Sequence, residues 1–309
     1  MGEAKRRRED VLKAPCPCGS SNIARVCCFD GRGWHRSAAS LGLRELPAGE
    51  TIERCYMREL GSCVAPISGE HLISESVIDV LQGDGSFSIS GVPWLPKGEE
   101  KILGKQSLRT NCLCTKHNSA LSPIDGAAKH LFSALKSYLE ADAGKPRHAI
   151  VSGHDLERWL LKTAKALAIS GNFARGEERL SGVFAQDVSL ISMLDDPAAW
   201  LEGTGLYCLM NDGDLMVNHS RFQLAPWVET AEGREEIVAL EVSILGFVFI
   251  LLLEKPNQER YPLLGQAKYR PGRIQIQYPR SVSWVTISWQ GNGFHETLTV
   301  QHVKDVPAI

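Results

Sequence analysis

The distribution of cysteine constrains this chain more than any other feature of the sequence. Eight of the nine cysteines lie within the first 114 of 309 residues, and only Cys208 lies beyond them. The N-terminus, MGEAKRRRED, carries charges where a secretory signal needs an apolar stretch, so we expect a cytoplasmic protein. Clustered thiols in a chain that is not exported indicate metal binding rather than disulfides, and zinc is the usual metal.

The first cluster is the stretch CPCGSSNIARVCC, residues 16–28. A C-x-C pair and a C-C pair are separated by eight residues, which include the turn-forming run Gly19–Asn22. One tight turn therefore brings four thiolates together, as a closed tetrahedral zinc site requires. The alternative is a set of free thiols in a flexible tail. The predicted ligands are Cys16, Cys18, Cys27 and Cys28.

This spacing and the letters CPCGS resemble the SEC-C motif, a small zinc finger, over about fifteen residues. The resemblance implies an accessory element that contacts a protein or a nucleic acid. The basic run Lys5–Arg8 precedes it. We interpret this run as a solvated tail, with phosphate contact as the alternative.

A second set of ligands comes from two distant segments. A C-x7-C pair at Cys55 and Cys63 and a later C-x2-H pair at Cys114 and His117 supply four zinc ligands. Zinc there would staple the segments together. The neighbouring groups Glu70, His71 and Asn118 are left over, and we assign them to a different centre.

CYMRELGSCVAPISGEHLISESVI together with NCLCTKHNSALSPID resembles the zinc-stapled members of the HNH nuclease superfamily, the ββα-metal fold, over about residues 50–135. The resemblance implies a metal-dependent endonuclease that hydrolyses phosphodiester bonds, with defence against foreign DNA as a hypothesis. In it His71 is the general base, and Glu70 and Asn118 bind one catalytic divalent cation, Mg²⁺ or Mn²⁺. Asn111 is the candidate for the central Asn of the family, with a variable position as the alternative.

The residue chemistry agrees with those implied roles. A neutral histidine can take a proton from the attacking water near neutral pH, and carboxylate and amide oxygens suit a hard cation. Asp125 either supports the site from a second shell or is a carboxylate of a turn or helix N-terminus.

The rest of the chain predicts a helix and a sheet. The stretch DLERWLLKTAKALAIS, residues 155–170, predicts an amphipathic helix with Asp155 as N-cap and Trp159 in the core. Similar helices follow the nuclease unit in HNH relatives, so we expect this one to pack against it. The twelve-residue run VSILGFVFILLL is shorter than the ~20 residues of a membrane helix and predicts one or two core strands. RIQIQYP, SVSWVTISW and ETLTVQHV predict a largely antiparallel sheet.

The net charge of −2 gives no overall attraction to nucleic acid, so any such binding must use a local patch. Residues 254–280 interleave basic side chains with tyrosines, which favours either a nucleic-acid contact or a solvated hairpin face. The set comprises Lys255, Arg260, Lys268, Arg270, Arg273 and Arg280, with Tyr261, Tyr269 and Tyr278.

Together these patterns predict an α+β protein in three parts. They are a basic tail and zinc finger (1–30), a zinc-stapled HNH-like ββα-metal domain (31–140), and a C-terminal domain with a helix and a mainly antiparallel sheet (150–309). The predicted cofactors are two structural zinc ions and one catalytic cation. The predicted partner is nucleic acid, with DNA favoured over RNA by family analogy. A protein that binds the finger is a second predicted partner, and no membrane is expected to be involved.

A different class of function stays open, namely a two-zinc adaptor that binds nucleic acid or protein without cutting. Convergence of Glu70, His71 and Asn118 on one solvent-open point would favour catalysis. Burial or divergence of these three side chains would favour the adaptor.

Overall fold

The protein is an α+β chain in a computed structural model, which describes residues 9–82, 86–90, 95–96, 99–140, 145–175, 178–180, 184–185, 188–210, 222–231, 233–291 and 293–301. The basic run at residues 5–8 lies outside these ranges. The helices are α1 (Glu75–Leu81), α2 (Thr115–Glu140), α3 (Gly153–Ile169) and α4 (Leu190–Asp195).

The strands of the described residues fall into five sheets. The first four are β1 (Ile67–His71), β2 (Ser86–Ser90), β3 (Glu100–Gly104) and β4 (Arg109–Cys114). The next four are β5 (His148–Ser152), β6 (Ala174–Arg175), β7 (Glu178–Arg179) and β8 (Gly205–Met210). The remainder are β9 (Phe222–Ala231), β10 (Arg234–Ile244), β11 (Phe247–Leu252), β12 (Lys268–Tyr269), β13 (Arg273–Gln277), β14 (Val282–Ser288) and β15 (Thr297–Gln301).

A two-stranded ribbon and a long helix form the N-terminal unit. β1 and β4 pair antiparallel, from Ile67 opposite Cys114 to His71 opposite Arg109. Helix α2 begins immediately after β4, at Thr115. The segment between the strands contains α1 and the β2–β3 hairpin. The first turn of α2 therefore lies at the Ile67–Cys114 end of the ribbon, whereas Glu70 and His71 lie at the other end.

The apolar run at residues 242–253 forms the ends of two strands, as predicted. β10 and β11 pair through Ile244 and Phe247. Leu245 and Gly246 form the turn with φ of 53° and 80°. Positive φ at both central residues gives a tight hairpin turn whose twist matches the strands. These strands are central in the five-stranded antiparallel sheet β12-β8-β11-β10-β9.

The second large sheet differs from the prediction in its strand directions. Its order is β15-β13-β14-β5, and the predicted segments RIQIQYP, SVSWVTISW and ETLTVQHV supply three of the four strands. Only β13 and β14 pair antiparallel, whereas β13 with β15 and β14 with β5 pair parallel. The prediction missed this because strand alternation reports which face is buried and not which strand is the neighbour.

Helix α3 lies between the N-terminal unit and both large sheets. Trp159 is 2% exposed and contacts Phe132 of α2, so its core placement and the packing against that unit are confirmed. The amphipathic expectation is wrong, because the charged residues of α3 are buried too. Ser152 caps the helix by accepting a hydrogen bond from the backbone N–H of Asp155, so Asp155 is not the N-cap.

The cysteine-rich N-terminal segment packs against this core. The Pro17 carbonyl accepts hydrogen bonds from the Ile150 backbone N–H at 3.1 Å and from His130 Nε2 at 2.9 Å. Ile150 on β5 is fully buried beneath the cysteines of the segment. The segment is therefore anchored to β5 and α2. Among the described helices, none combines the length and the apolar character needed to cross a membrane.

Candidate zinc centres and the Glu70–His71 region

The first four-cysteine cluster has the geometry of a tetrahedral metal site. The ligand atoms of Cys16, Cys18, Cys27 and Cys28 all lie within 4.8 Å of one another. The Sγ atoms of Cys18 and Cys27 are 3.5 Å apart, and those of Cys27 and Cys28 are 3.7 Å apart. A tetrahedron with Zn–S bonds of about 2.3 Å has S–S edges of about 3.8 Å. The cluster can therefore hold a metal ion such as zinc, as predicted.

The second predicted set of ligands is also brought together. Cys55, Cys63, Cys114 and His117 are all buried and their ligand atoms lie within 4.8 Å of one another. His117 Nδ1 lies 3.2, 3.3 and 3.8 Å from the Sγ atoms of Cys55, Cys114 and Cys63. Bonds of about 2.3 and 2.05 Å to a tetrahedral zinc place S and N about 3.6 Å apart. Nδ1 is therefore the ligand atom.

A residue that the sequence did not single out fixes the His117 ring. Ser62 is fully buried, and its Oγ lies 2.9 Å from His117 Nε2. A hydrogen bond on the second ring nitrogen orients a metal-binding histidine and sets its tautomer. Burial lowers the pKa of His117, which keeps the ring neutral for coordination. C-x7-C spacing contains no signal for this serine, because its role depends on how the loop folds.

Glu70 is buried and bound to a lysine. Its side chain is 4% exposed, and Glu70 Oε1 accepts from Lys162 Nζ of α3 at 2.7 Å. Lys162 also donates to both carboxylate oxygens of Asp125, at 2.9 and 2.7 Å. Ser74 donates to Asp125, and Trp159 Nε1 donates to Ser74 Oγ at 2.8 Å. This network, which we call the Lys162 cluster, ties β1, α2 and α3 together.

The charges of the Lys162 cluster explain its pKa shifts. Burial lowers the pKa of Lys162, but the carboxylates of Asp125 and Glu70 outweigh burial and raise it. Burial raises the pKa of Glu70, and the ammonium of Lys162 compensates only in part. Two carboxylates share one ammonium, so Lys162 stays charged. The charged form of Glu70 is disfavoured, because burial outweighs the attraction of the single ammonium. Asp125 lies inside α2, so its expected place in a turn or at a helix N-terminus is wrong.

His71 faces the opposite side of the ribbon from Glu70. Its Nε2 accepts from Arg109 Nε at 3.2 Å, and its Nδ1 lies 3.8 Å from Glu75 Oε2. Adjacent residues on a strand point to opposite faces, and α3 contacts the Glu70 face through Lys162. The imidazole is 8% exposed, whereas Arg109 and Glu75 are 43% and 37% exposed. Arg109 and Glu75 were not predicted, since their place beside His71 depends on strand register and on α1.

The two asparagines do not join Glu70 and His71 in one group. Asn118, in the first turn of α2, donates from Nδ2 to Ser68 Oγ at 2.7 Å. Asn111 is exposed, and its Oδ1 would lie 4.0 Å from a Cβ built on Gly69, which places it on the His71 side. Asn118 therefore shares a face with Glu70, and Asn111 shares a face with His71. By the criterion set from the sequence, burial and divergence favour the adaptor.

Three of the six basic side chains of residues 254–280 are paired with carboxylates. Arg260 pairs with Glu229 and Glu254, Lys268 with Glu296, and Arg270 with the fully buried Glu157. The Tyr261 hydroxyl lies within hydrogen-bond distance of the same two carboxylates as Arg260, and Tyr278 is buried. This segment does not present one basic patch. Arg273 lies over the Trp284 ring, and no carboxylate among the described residues pairs with it.

Comparison of the chain with protein-family models, with curated proteins and with solved structures finds no match in any of the three. We therefore infer the function from the residues and their geometry.

Proposed function

We propose that this protein is a non-catalytic, two-zinc adaptor that binds nucleic acid. In this proposal the β1–β4 ribbon and α2 are an HNH-like ββα unit that has become a scaffold, and the first cluster is a SEC-C-like finger. The observation that carries the proposal is the contact between Glu70 Oε1 and Lys162 Nζ at 2.7 Å, buried between β1 and α3. In a nuclease of this type Glu70 would instead contact a metal ion.

The energetics of the Lys162 cluster support a structural role for Glu70. A catalytic Mg²⁺ keeps several water ligands and needs an open approach, which a carboxylate that is 4% exposed and covered by a lysine does not give. Binding the cation would also require separating Glu70 from Lys162, and breaking a buried pair costs about 3–5 kcal/mol. Every side chain of the cluster makes at least one hydrogen bond within it, as expected for a group that fixes the packing of helices on a ribbon.

Nucleic acid is the proposed partner for two reasons. Both resemblances, to the SEC-C motif and to the HNH superfamily, are to modules that contact nucleic acids. In addition, the outward face of the four-stranded sheet carries Trp284 and Arg273 and no aspartate or glutamate within its strands. Such a face attracts a polyanion that has aromatic bases.

A metal-dependent HNH-type endonuclease is the second candidate, and a specific observation favours it. His71 stands at the end of β1 beside the half-exposed guanidinium of Arg109, at 3.2 Å. A neutral imidazole next to a guanidinium can act as a general base beside a bound phosphate. In this candidate Asn118 and a displaced Glu70 would hold the cation.

One experiment separates the two candidates. The purified full chain is incubated with plasmid DNA, a single-stranded oligonucleotide and RNA, with Mg²⁺, Mn²⁺ or neither, beside a His71→Ala variant. The adaptor binds in a gel-shift assay and cuts no more than the variant does. Cleavage by the parent that disappears in His71→Ala would contradict the adaptor and support the endonuclease. A protein that neither binds nor cleaves any of these nucleic acids would contradict both candidates.

A further inference from the structure

The outer face of the β15-β13-β14-β5 sheet carries a line of rings that continues from the zinc finger. Phe29 and Trp34 pack edge to face with centroids 5.3 Å apart, and Trp34 meets His148 of β5 at 4.7 Å. His148 stacks on Trp284 of β14 at 5.0 Å and 25°. The Arg273 guanidinium of β13 lies 5.6 Å from the Trp284 ring centre. We call these groups the ring ladder.

The ring ladder lies on the solvent side of the sheet. Along β13 and β14 the residues alternate between buried positions, which face the core, and positions that are half-buried or exposed. Trp284 and His148 are half-buried and Arg273 is exposed. The finger covers the β5 end, where it buries Ile150. The β13 and β15 end has no covering element among the described residues.

The chemistry of this face is neutral and aromatic with one cation. Burial and the Arg273 guanidinium lower the pKa of His148 to about 4, so its ring is uncharged at neutral pH. The His148 ring is fixed by a contact of 3.0 Å between its Nε2 and Thr286 Oγ1. The outward neighbours on β13 and β15 are amides and hydroxyls, with Gln275 beside Thr299 and Gln277 beside Gln301. The four strands contain no aspartate or glutamate.

We propose that the ring ladder is the surface on which this protein binds single-stranded nucleic acid, with Arg273 turning from the Trp284 ring to the backbone phosphate and a base stacking on Trp284 in its place. This inference rests on the proposed function, since it names the surface and the nucleic-acid class for that binding. Unpaired bases stack on aromatic rings and guanidinium groups, and their edges bond to amides and hydroxyls. In a duplex the base faces are already stacked on one another, so the rings of this sheet cannot stack on them.

The test measures binding of a labelled oligonucleotide of about 12 nucleotides, within the usual 4–16 per binding module, to the full chain. Trp284→Ala should weaken binding roughly 5- to 100-fold, and Trp284→Phe should retain most of it because a ring remains. Arg273→Gln should weaken binding and reduce the salt slope by about 0.7, the share of one phosphate contact on a single strand. Arg234→Gln, an exposed arginine on the other large sheet, is the matched control and should change neither by more than the general charge effect.

Each result decides the inference. Unfolding of the Trp284 variants is checked by circular dichroism, and Arg273→Gln keeps the test valid if Trp284→Ala fails to fold. Unchanged affinity in Trp284→Ala or Arg273→Gln, while the parent binds, overturns the ring ladder and leaves the proposed function standing. Equal affinity for duplex and single strand, or displacement of the oligonucleotide by poly-glutamate at equal charge concentration, also overturns it. A parent that binds no nucleic acid overturns the proposed function as well.

Discussion

Replacing Lys162 with Met tests whether Glu70 belongs to the scaffold. Lys162 is 2% exposed and is the only cation among the contacts of Glu70 and Asp125 in the described structure. Methionine matches much of its volume but leaves two carboxylates without a counter-charge. Removing one partner of a buried pair costs about 3–5 kcal/mol. Since domains are stable by about 5–15 kcal/mol, the variant should fold but unfold early.

The assay is urea unfolding of the zinc-loaded protein, followed by tryptophan fluorescence, with two companion variants. Lys129→Met, an exposed lysine on α2, should change the free energy of unfolding by no more than about 0.5 kcal/mol. Glu70→Gln in the Lys162→Met background removes one orphaned charge and should recover about 1–3 kcal/mol.

The pH dependence of the Lys162→Met variant has a defined sign. Without the ammonium, burial raises the pKa of Glu70 further, so the folded variant takes up a proton more readily than the unfolded chain. The contribution of Glu70 to the stability of the variant is therefore most favourable at acidic pH and declines as pH rises toward the folded pKa of Glu70. The loss relative to the parent should be smaller at pH 5 than at pH 7.5. A loss below about 1 kcal/mol, or no recovery in the double variant, would refute the scaffold role.

Three other predictions concern the metal sites. His117→Ala should lose one of the two zinc ions and melt early. Asn118→Ala should keep both zinc ions and lose about 0.5–1.5 kcal/mol of stability with its hydrogen bond to Ser68. Elemental analysis and thermal melting measure both effects, and equal effects of the two variants would mean that the ligands are misassigned. Cys28→Ser should lose the other zinc and loosen the cover over Ile150, at a cost of up to about 1.5–3 kcal/mol, and a variant as stable as the parent would contradict the docking of the finger. Transfer of zinc to a chelator should accelerate as pH falls, because thiolate and imidazole ligands must stay deprotonated, and a rate independent of pH between 5 and 8 would argue against these ligand sets.

The parts of the structure that the sequence predicted depend on local chemistry. Cys16 to Cys28 form a cluster because the spacing and one turn suffice to bring them together. The pair Cys114–His117 spans the junction of β4 and α2, so its C-x2-H spacing already fixes half of the second site. Strands β13, β14 and β15 show the period of two that a half-buried strand imposes.

The parts that were missed depend on contacts between distant segments. Glu70 contacts Lys162 only because α3 packs across the ribbon, and the sequence around either residue does not predict the pair. A lysine three residues after Trp159, on the side of the helix that carries the apolar residues, was the one available signal for a buried charge. Arg109 contacts His71 because of the register between β1 and β4. The long segment between the two strands prevents this register from being predicted from the sequence.

The proposals share one premise, that two closed zinc sites hold the finger and the ribbon in place. The most direct test is the zinc content of the purified full chain, measured by elemental analysis after removal of loosely bound metal. Eight ligands divided into two tetrahedra predict about two zinc ions per chain. One zinc or none would contradict the account.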